Sequence, residues 1–268
     1  MKYIYPKLPA YISSPLIRIG GNGLANCLFV YAKAIVYGHC YNLPIITPTW
    51  LNLSFGTYLR LQADKRHYYG LFNSNNEISG LRKMWLLAKL QSTTDIKKFI
   101  IEKDTNLLIV EGIYDFFKPL IDYHEIIKNY ILEHINPKLL EKINNFDFTD
   151  TLAVHIRLGD FPINRRIPID WYISEIKKHK RYNRVLIFSD GQDEELKDLL
   201  YLPNMERVFF GGAIQDIIAI SRCSYLIGSD SSFSAWGAFL GQVPCSFYRT
   251  QFGIILKDSS KQIIVQPS

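Results

Sequence analysis

The sequence predicts an α/β protein built on parallel sheets with crossover helices, and three observations predict it. From about residue 150 onward, short apolar runs alternate with amphipathic segments of helical spacing, the pattern of strands buried on both faces and joined by helices. Polar residues gather just after the apolar runs, at 157–160, 189–190 and 229–232, where such sheets bind ligands beyond the carboxyl ends of their strands. The 268 residues are 48% hydrophobic and only 21% charged, enough to bury a substantial core and far from a disordered composition.

The first half opens with a strand over Leu16–Ile19, a glycine-rich turn over Gly20–Gly23 and an amphipathic helix over Leu24–Tyr37. Leu43–Ile46 reads as a second strand. Residues 50–80 are aromatic and loop-rich. Residues 81–103 carry Arg82, Lys83, Lys89, Lys97, Lys98 and Lys103 against Asp95 and Glu102; they read as a solvated helix face or as a contact with anionic lipid. Leu107–Gly112 reads as a strand and Pro119–Ile135 as helical, and 144–150 as the connection between domains 1–150 and 151–268.

The second half continues with strands at Leu152–Ile156, Arg184–Ser189, Arg207–Phe210, Tyr225–Gly228 and Pro244–Tyr248. Helices are expected at Pro168–His179, Glu194–Tyr201, Ile214–Cys223 and Ser232–Leu240. In the first of these, Ile169, Tyr172, Ile173 and Ile176 fall on one face.

Charge and cysteines narrow the function classes. The 31 basic residues exceed the 25 acidic ones by six, a mild excess compatible with any anionic partner. No RNA-recognition motif or basic–aromatic strand pattern accompanies it, so no nucleic acid partner is expected. Cys27, Cys40, Cys223 and Cys245 form no C-x-x-C pair and sit among apolar residues, so they read as buried reduced thiols of a cytoplasmic protein. Residues 1–12 have no apolar signal core. The uncharged segment 34–59 is broken by Asn42, Pro44, Pro48 and Asn52; membrane contact is therefore expected to be peripheral.

Four elements could carry chemistry. The turn Gly20-Gly21-Asn22-Gly23 lets backbone N–H groups approach an anion at a helix start, or is merely a tight connection; Asn26 follows on the first helical turn. In His155-Ile156-Arg157-Leu158-Gly159-Asp160, alternation puts His155 and Arg157 on one face. The planar arginine fork suits a diphosphate, unless Arg157 pairs with Asp160. His155 alone would fit a hydrogen-bonded core histidine. In Phe188-Ser189-Asp190, the aspartate can accept from sugar hydroxyls or cap the next helix. Last come Asp216 and Gly228-Ser229-Asp230-Ser231-Ser232-Phe233-Ser234, small polar residues that could cap a helix and direct donors at phosphate.

In this order the elements resemble the α-1,2-fucosyltransferase family of inverting glycosyltransferases, and more distantly the α-1,6- and protein O-fucosyltransferases. Residues 21–31 (GNGLANCLFVY) are similar to that family's opening GG-L-G-N-Q-M-F-Q-Y signature. Residues 155–161 (HIRLGDF) are similar to its H-V-R-R-G-D-Y motif, Phe188-Ser189-Asp190 to its F-S-D-D motif, and 228–240 (GSDSSFSAWGAFL) to its N-S-S-F-S-W-W motif. The resemblance implies a GT-B-like fold, two Rossmann-type domains with parallel sheets facing a cleft. Residues 1–150 would be the acceptor side and 151–268 the GDP-sugar domain. It implies a GDP-fucose donor, no metal or other cofactor, and a glycan or lipid-linked oligosaccharide acceptor.

The same resemblance implies roles. Arg157 would hold the β-phosphate and stabilise departing GDP. His155 and Asp216 would recognise guanine, while Ser231, Ser232 and Phe233 would line the diphosphate site. Ser189 and Asp190 would flank the nucleotide, and Asn26 would reach phosphate or fucose from the first domain. The acceptor's proton needs a carboxylate, which could be Asp160 or Asp64. Arg60, Asp64 and Arg66, in the aromatic segment 56–72, are expected on the acceptor side. The chain departs from the family at Leu158, where a second arginine would stand, at Ala25, Cys27 and Ala235; Arg18, Arg60, Arg66 and Arg249 are candidates for the missing charge. A GDP-sugar-binding protein without transferase activity, or a transferase using another GDP-sugar, is the competing reading.

Overall fold

The apolar runs become parallel strands in two separate α/β units. A computed structural model describes residues 1–54, 56, 64–159 and 161–265. Unit 1 covers Met1–Leu139 and unit 2 covers Leu140–Ser268. The division falls ahead of the 150/151 boundary expected from the sequence because residues 140–150 pack on unit 2. There the Lys142 ammonium donates to Phe209 O (2.7 Å), the Arg222 guanidinium to Ile143 O (3.2 Å) and to Asn144 Oδ1 (2.7 Å), and Phe146 meets Phe210 edge-on at 5.1 Å.

Unit 1 contains strands β1 (Tyr3–Pro6), β2 (Ile12–Ser13), β3 (Arg18–Ile19), β4 (Asn52–Leu53), β5 (Ser92–Thr93) and β6 (Leu107–Val110). Its helices are α1 (Leu24–Tyr41), α2 (Gly80–Lys89), α3 (Ile96–Ile101) and α4 (His124–His134). The main sheet runs β1-β6-β5, all parallel. The expected strand at 43–46 contributes only single bridges, Ile45 to Ile4 and Ile46 to Ile78, as Pro44 lacks the N–H a ladder needs. A small sheet β2-β3-β4 stands beside the glycine-rich turn.

Helix α1 is apolar around most of its circumference and correspondingly buried, from Leu24 through Val36. It ends where Asn42 turns left-handed (φ 50°) and its N–H reaches the last carbonyls. Cys27 is buried in it, but Cys40, expected to be buried, is exposed and lies within reach of the Tyr123 hydroxyl (3.3 Å). The burial of the helix stops at Val36, and its last turn from His39 through Tyr41 is exposed as a whole. Arg18 is fully buried and donates to Thr49 O (2.6 Å) and Pro9 O (2.8 Å). It is thus a structural cross-tie of unit 1.

Unit 2 contains helix α5 (Glu141–Asn144), strands β7 (Thr151–Ile156), β8 (Arg184–Ser189), β9 (Met205–Arg207), β10 (Tyr225–Gly228), β11 (Cys245–Phe247) and β12 (Gln262–Ile264), and helices α6 (Ile169–Lys178), α7 (Asp193–Leu200), α8 (Ala213–Ile220) and α9 (Ser232–Gly241). The sheet order is β12-β11-β10-β7-β8-β9, every pair parallel. Counted from the first strand of the unit this is the doubly wound order 3-2-1-4-5-6, whose ligand crevice lies where the order reverses, between β7 and β10. Leu152, Val154, Ile156, Val185, Ile187 and Ile227 point into one apolar cluster with Trp171, Tyr172 and Ile176 of α6. The alternate residues of the same strands are buried too, as expected for a parallel sheet covered on both faces.

Candidate active site

Two clusters of the expected residues meet at the carboxyl ends of β7, β8 and β10. The first is centred on His155, one residue before the end of β7. Its Nδ1 lies 2.6 Å from Ser234 Oγ and 3.0 Å from Ser229 Oγ, and the two hydroxyls are 3.3 Å apart. The ring stacks on Phe233 at 4.7 Å and 21°. Burial and the nearby Arg157 hold the imidazole down to a pKa of about 3, so it is neutral near pH 7 and offers hydrogen bonds without charge. Close approach of the strands is needed here, because a Cβ on Gly228 would lie 2.5 Å from the Phe247 ring.

The second cluster is a turn held by Asp190. Its Oδ1 accepts the N–H groups of Leu158 (2.8 Å) and Gly159 (3.1 Å), and its Oδ2 pairs with Arg157 Nη1. Ser189 works beside it: its hydroxyl donates to Ile156 O (2.8 Å) and accepts from Gly191 N–H (3.1 Å), tying β8 to β7. The next helix is capped from elsewhere, by Glu195 Oε2 accepting the Gln192 N–H (2.9 Å). Gly159 has no room for a side chain, since its Cβ would lie 2.5 Å from Asp190 Oδ2. Leu158 points away into the apolar cluster of the unit.

The remaining donor-side residues divide. Ser231 is the N-cap of α9, its Oγ accepting the Phe233 N–H at 3.2 Å, and Ser232 begins the helix; both are half-buried. The amides of the α9 first turn thus end beside His155, an arrangement that favours negative charge. Asp216 sits on the first turn of α8, where Oδ1 accepts the Phe210 N–H at 2.8 Å and orders the 208–212 loop. Asp230 accepts the Gln251 N–H (3.1 Å), and burial raises its pKa. Asp160 lies outside the described residues.

Ser229 and Ser234 lie inside the fourth motif, but they become partners of His155 only because β10 inserts beside β7. Arg166 wraps the 157–161 turn, donating to Phe161 O (3.2 Å) and Gly159 O (3.4 Å) while pairing with Glu195 (2.8 Å). Nothing in the sequence marks it, because two of its targets are carbonyls and the third is a carboxylate 29 positions away. Of the candidates for extra positive charge, Arg249 donates to Arg165 O (2.6 Å), within unit 2.

In unit 1, Asn26 lies half-buried on the first turn of α1, as its position after the glycines implies. Gly20 and Gly21 both have positive φ, and a Cβ at Gly21 would lie 2.5 Å from Pro9 O. The first amide of the helix is already used: Leu24 N–H donates to the Tyr68 hydroxyl at 2.8 Å. Asp64 Oδ1 accepts the Arg66 N–H (2.7 Å) in the same loop, and Asn52 Nδ2 donates to Arg66 O (3.0 Å). Arg60 lies outside the described residues. A separate cavity of about 450 Å³ opens at the carboxyl ends of β5 and β6, bordered by Lys33, Tyr37, Glu111, Tyr114 and Asp115. Its rim is strained, Asp115 and Phe116 standing at φ 57° and 40°. Among the described residues, no cluster of three or more His, Cys, Asp or Glu could hold a metal ion.

Compared by sequence, the chain matches neither a family model nor a curated protein. Its structure, however, is similar to solved fucosyltransferases. The fucosyltransferase NodZ from Bradyrhizobium superposes with a TM-score of 0.59 at 12% identity, over 91% of this chain and 94% of that one. The NodZ α-1,6-fucosyltransferase soaked with GDP-fucose gives a TM-score of 0.56 at 13% identity over 91% and 93%. A mutant of Arabidopsis thaliana FUT1 in complex with GDP gives 0.59 at 10% identity, over 97% of this chain and 73% of that one. At these identities the likeness is one of fold. The chain has the expected α/β, GT-B-like fold class, with a parallel sheet in each unit.

Proposed function

We propose that this protein is a glycosyltransferase that moves fucose from GDP-fucose to a glycan hydroxyl, with inversion, without a metal, and to an α-1,2 position. The observation that carries the reading is the crevice of unit 2. A neutral histidine, an arginine held by a carboxylate and the start of a helix meet where a doubly wound sheet reverses its order, on a fold shared with enzymes solved with GDP and GDP-fucose. The α-1,2 linkage rests on the four sequence motifs alone.

In this proposal GDP lies across the ends of β7 and β10. When the fucosyl–oxygen bond breaks, charge accumulates on the β-phosphate. Arg157 meets it with a guanidinium that Asp190 holds by one nitrogen in advance, and the α9 amides capped by Ser231 add a second positive end. A stabiliser oriented before the reaction costs no reorganisation at the transition state. His155, kept neutral, and Asp216 take guanine, with Phe233 beside the ring. Ser189 and Asp190 support the turn from behind. Asn26 contributes a side-chain amide towards phosphate or fucose. Asp64 or Asp160 accepts the acceptor's proton. The unit 1 cavity, with two carboxylates and two tyrosines, would seat sugar hydroxyls and their apolar ring faces.

Ligand-induced stabilisation tests the donor. A ligand that binds only the native state raises stability with ln(1 + [L]/Kd), so GDP and GDP-fucose should raise Tm and UDP should not. UDP stabilising without GDP would refute the reading. Arg157→Ala should cost about 3 to 4 kcal/mol of transition-state stabilisation, as for one strong electrostatic donor, read as GDP release with a glycan panel. A second reading, a GDP-sugar-binding protein without transfer, is favoured by Leu158. Its side chain is packed in the core, so the second motif arginine has no counterpart there. Tight GDP binding with no turnover would select it.

A further inference from the structure

We infer that helix α2 is a docking surface for an anionic lipid bilayer. An ordinary surface helix buries its apolar stripe and exposes its charges. This helix (Gly80–Lys89) does the reverse at one residue and presents a second apolar stripe outward. Lys83 and Leu86 face the core, where the Lys83 ammonium donates to Thr49 Oγ1 (3.0 Å) and lies over the Tyr5 ring at 5.5 Å. Leu81, Met84, Trp85 and Ala88 occupy positions i, i+3, i+4 and i+7 and all are exposed, Leu81 by 84% and Trp85 by 59%. A contiguous apolar stripe of this kind on a protein surface marks a place where something else belongs.

Charge identifies the occupant. Helical geometry puts Arg82 and Lys89 along one edge of the outward stripe, both exposed, and the helix contains no acidic residue. An apolar face with an interfacial tryptophan and a basic border matches the boundary between headgroups and acyl chains, and anionic headgroups attract the border. The next helix, α3, repeats the composition, with Ile100 and Ile101 exposed beside exposed Lys97 and Lys98. No helix among the described residues is long and apolar enough to cross a membrane; the helix lies on the surface and does not span. A second copy of this chain would present the same basic border to itself, a like-charge contact.

The test is independent of the proposed chemistry. Wild-type protein is sedimented with phosphatidylcholine vesicles, with and without phosphatidylglycerol, while tryptophan emission is followed. Trp50, Trp171 and Trp236 are buried, so a blue shift and protection from acrylamide report Trp85. Binding only to the anionic vesicles is expected. Leu81→Ser with Trp85→Ser should reduce it to background, and Arg82→Ser with Lys89→Ser should lower the partition coefficient about thirtyfold, each with Tm unchanged. No association with anionic vesicles would overturn the inference. So would association that the Leu81/Trp85 variant leaves intact, or a concentration-dependent dimer that this variant dissolves in the absence of vesicle binding.

Discussion

Replacing Asp190 in two ways separates its two jobs. Its Oδ1 holds the Leu158 and Gly159 amides at 2.8 and 3.1 Å, and its Oδ2 holds Arg157. Asp190→Asn keeps an acceptor for the amides but sets an NH2 against the guanidinium, donor against donor. Asp190→Ala removes everything. Hydrogen bonds to a charged acceptor contribute about 1.5 to 3 kcal/mol each; with Asp190 at 24% exposure and Arg157 at 26%, the low end applies. The pair itself, about a quarter exposed, adds less than about 1 kcal/mol. Asp190→Ala should therefore destabilise by about 3 kcal/mol and Asp190→Asn by about 1, measured by urea unfolding without ligand. Both should weaken GDP binding, because Arg157 loses its orientation. On an Arg157→Ala background, Asp190→Asn should leave GDP affinity unchanged, since its effect passes through the missing group. Equal destabilisation by the two replacements would refute the division of labour. A further loss of GDP affinity on the Arg157→Ala background would refute the positioning role.

Three other outcomes follow from the same geometry. His155 has a folded pKa of about 3 against an ordinary 6.5, so the unfolded chain takes up a proton that the native one refuses. This costs nothing above pH 6.5 and grows as pH falls towards 3, reaching about 2 kcal/mol at pH 5; His155→Gln should flatten the acid limb of a stability–pH curve between those values. Burial lowers the Lys83 pKa to about 8, so below pH 8 the native state carries a desolvated ammonium, and stability should rise between about pH 8 and 10.5. Lys83→Met, which keeps the stem and removes the charge, should raise stability at pH 7 by about 1 kcal/mol and abolish that rise in thermal melts. Gly159→Ala should dislodge the Asp190 carboxylate 2.5 Å from the new methyl and reproduce the loss of GDP affinity of Asp190→Ala, checked by calorimetric titration; wild-type affinity would contradict the packing.

Strands of unit 2 were legible because burial on both faces leaves uninterrupted apolar runs: Arg184–Ser189 and Tyr225–Gly228 have the same bounds in sequence and structure. Other elements end where local pattern and tertiary context disagree. The expected strand Arg207–Phe210 is observed at Met205–Arg207, since Phe209 and Phe210 leave the sheet for the loop ordered by Asp216. Tyr3–Pro6 is a strand despite its proline because the parallel ladder with Leu107–Val110 forms around it. The charge run 81–103 gave no sign that Lys83 is buried; side-chain spacing marks faces but not which apolar face wins the core. At the site, the types of residue were readable and their partners were not. Arg157 pairs with Asp190 across 33 positions, a contact that exists only because β7 and β8 are neighbours. Leu158, read as a missing charge, is a core residue.

The strand order of unit 2 also sets when the crevice can come into being. His155 meets Ser229 and Ser234 across 74 and 79 positions, and β10 must slot in on the far side of β7 from β8. A nascent chain that ends at Ile220 can pair β7, β8 and β9 and close the Asp190 turn. It leaves the β7 edge open and the histidine without its serines. During synthesis, the exposed flank of β7 is then the segment most in need of shielding from stray pairing, and ligand binding would wait until β10 and α9 are in place.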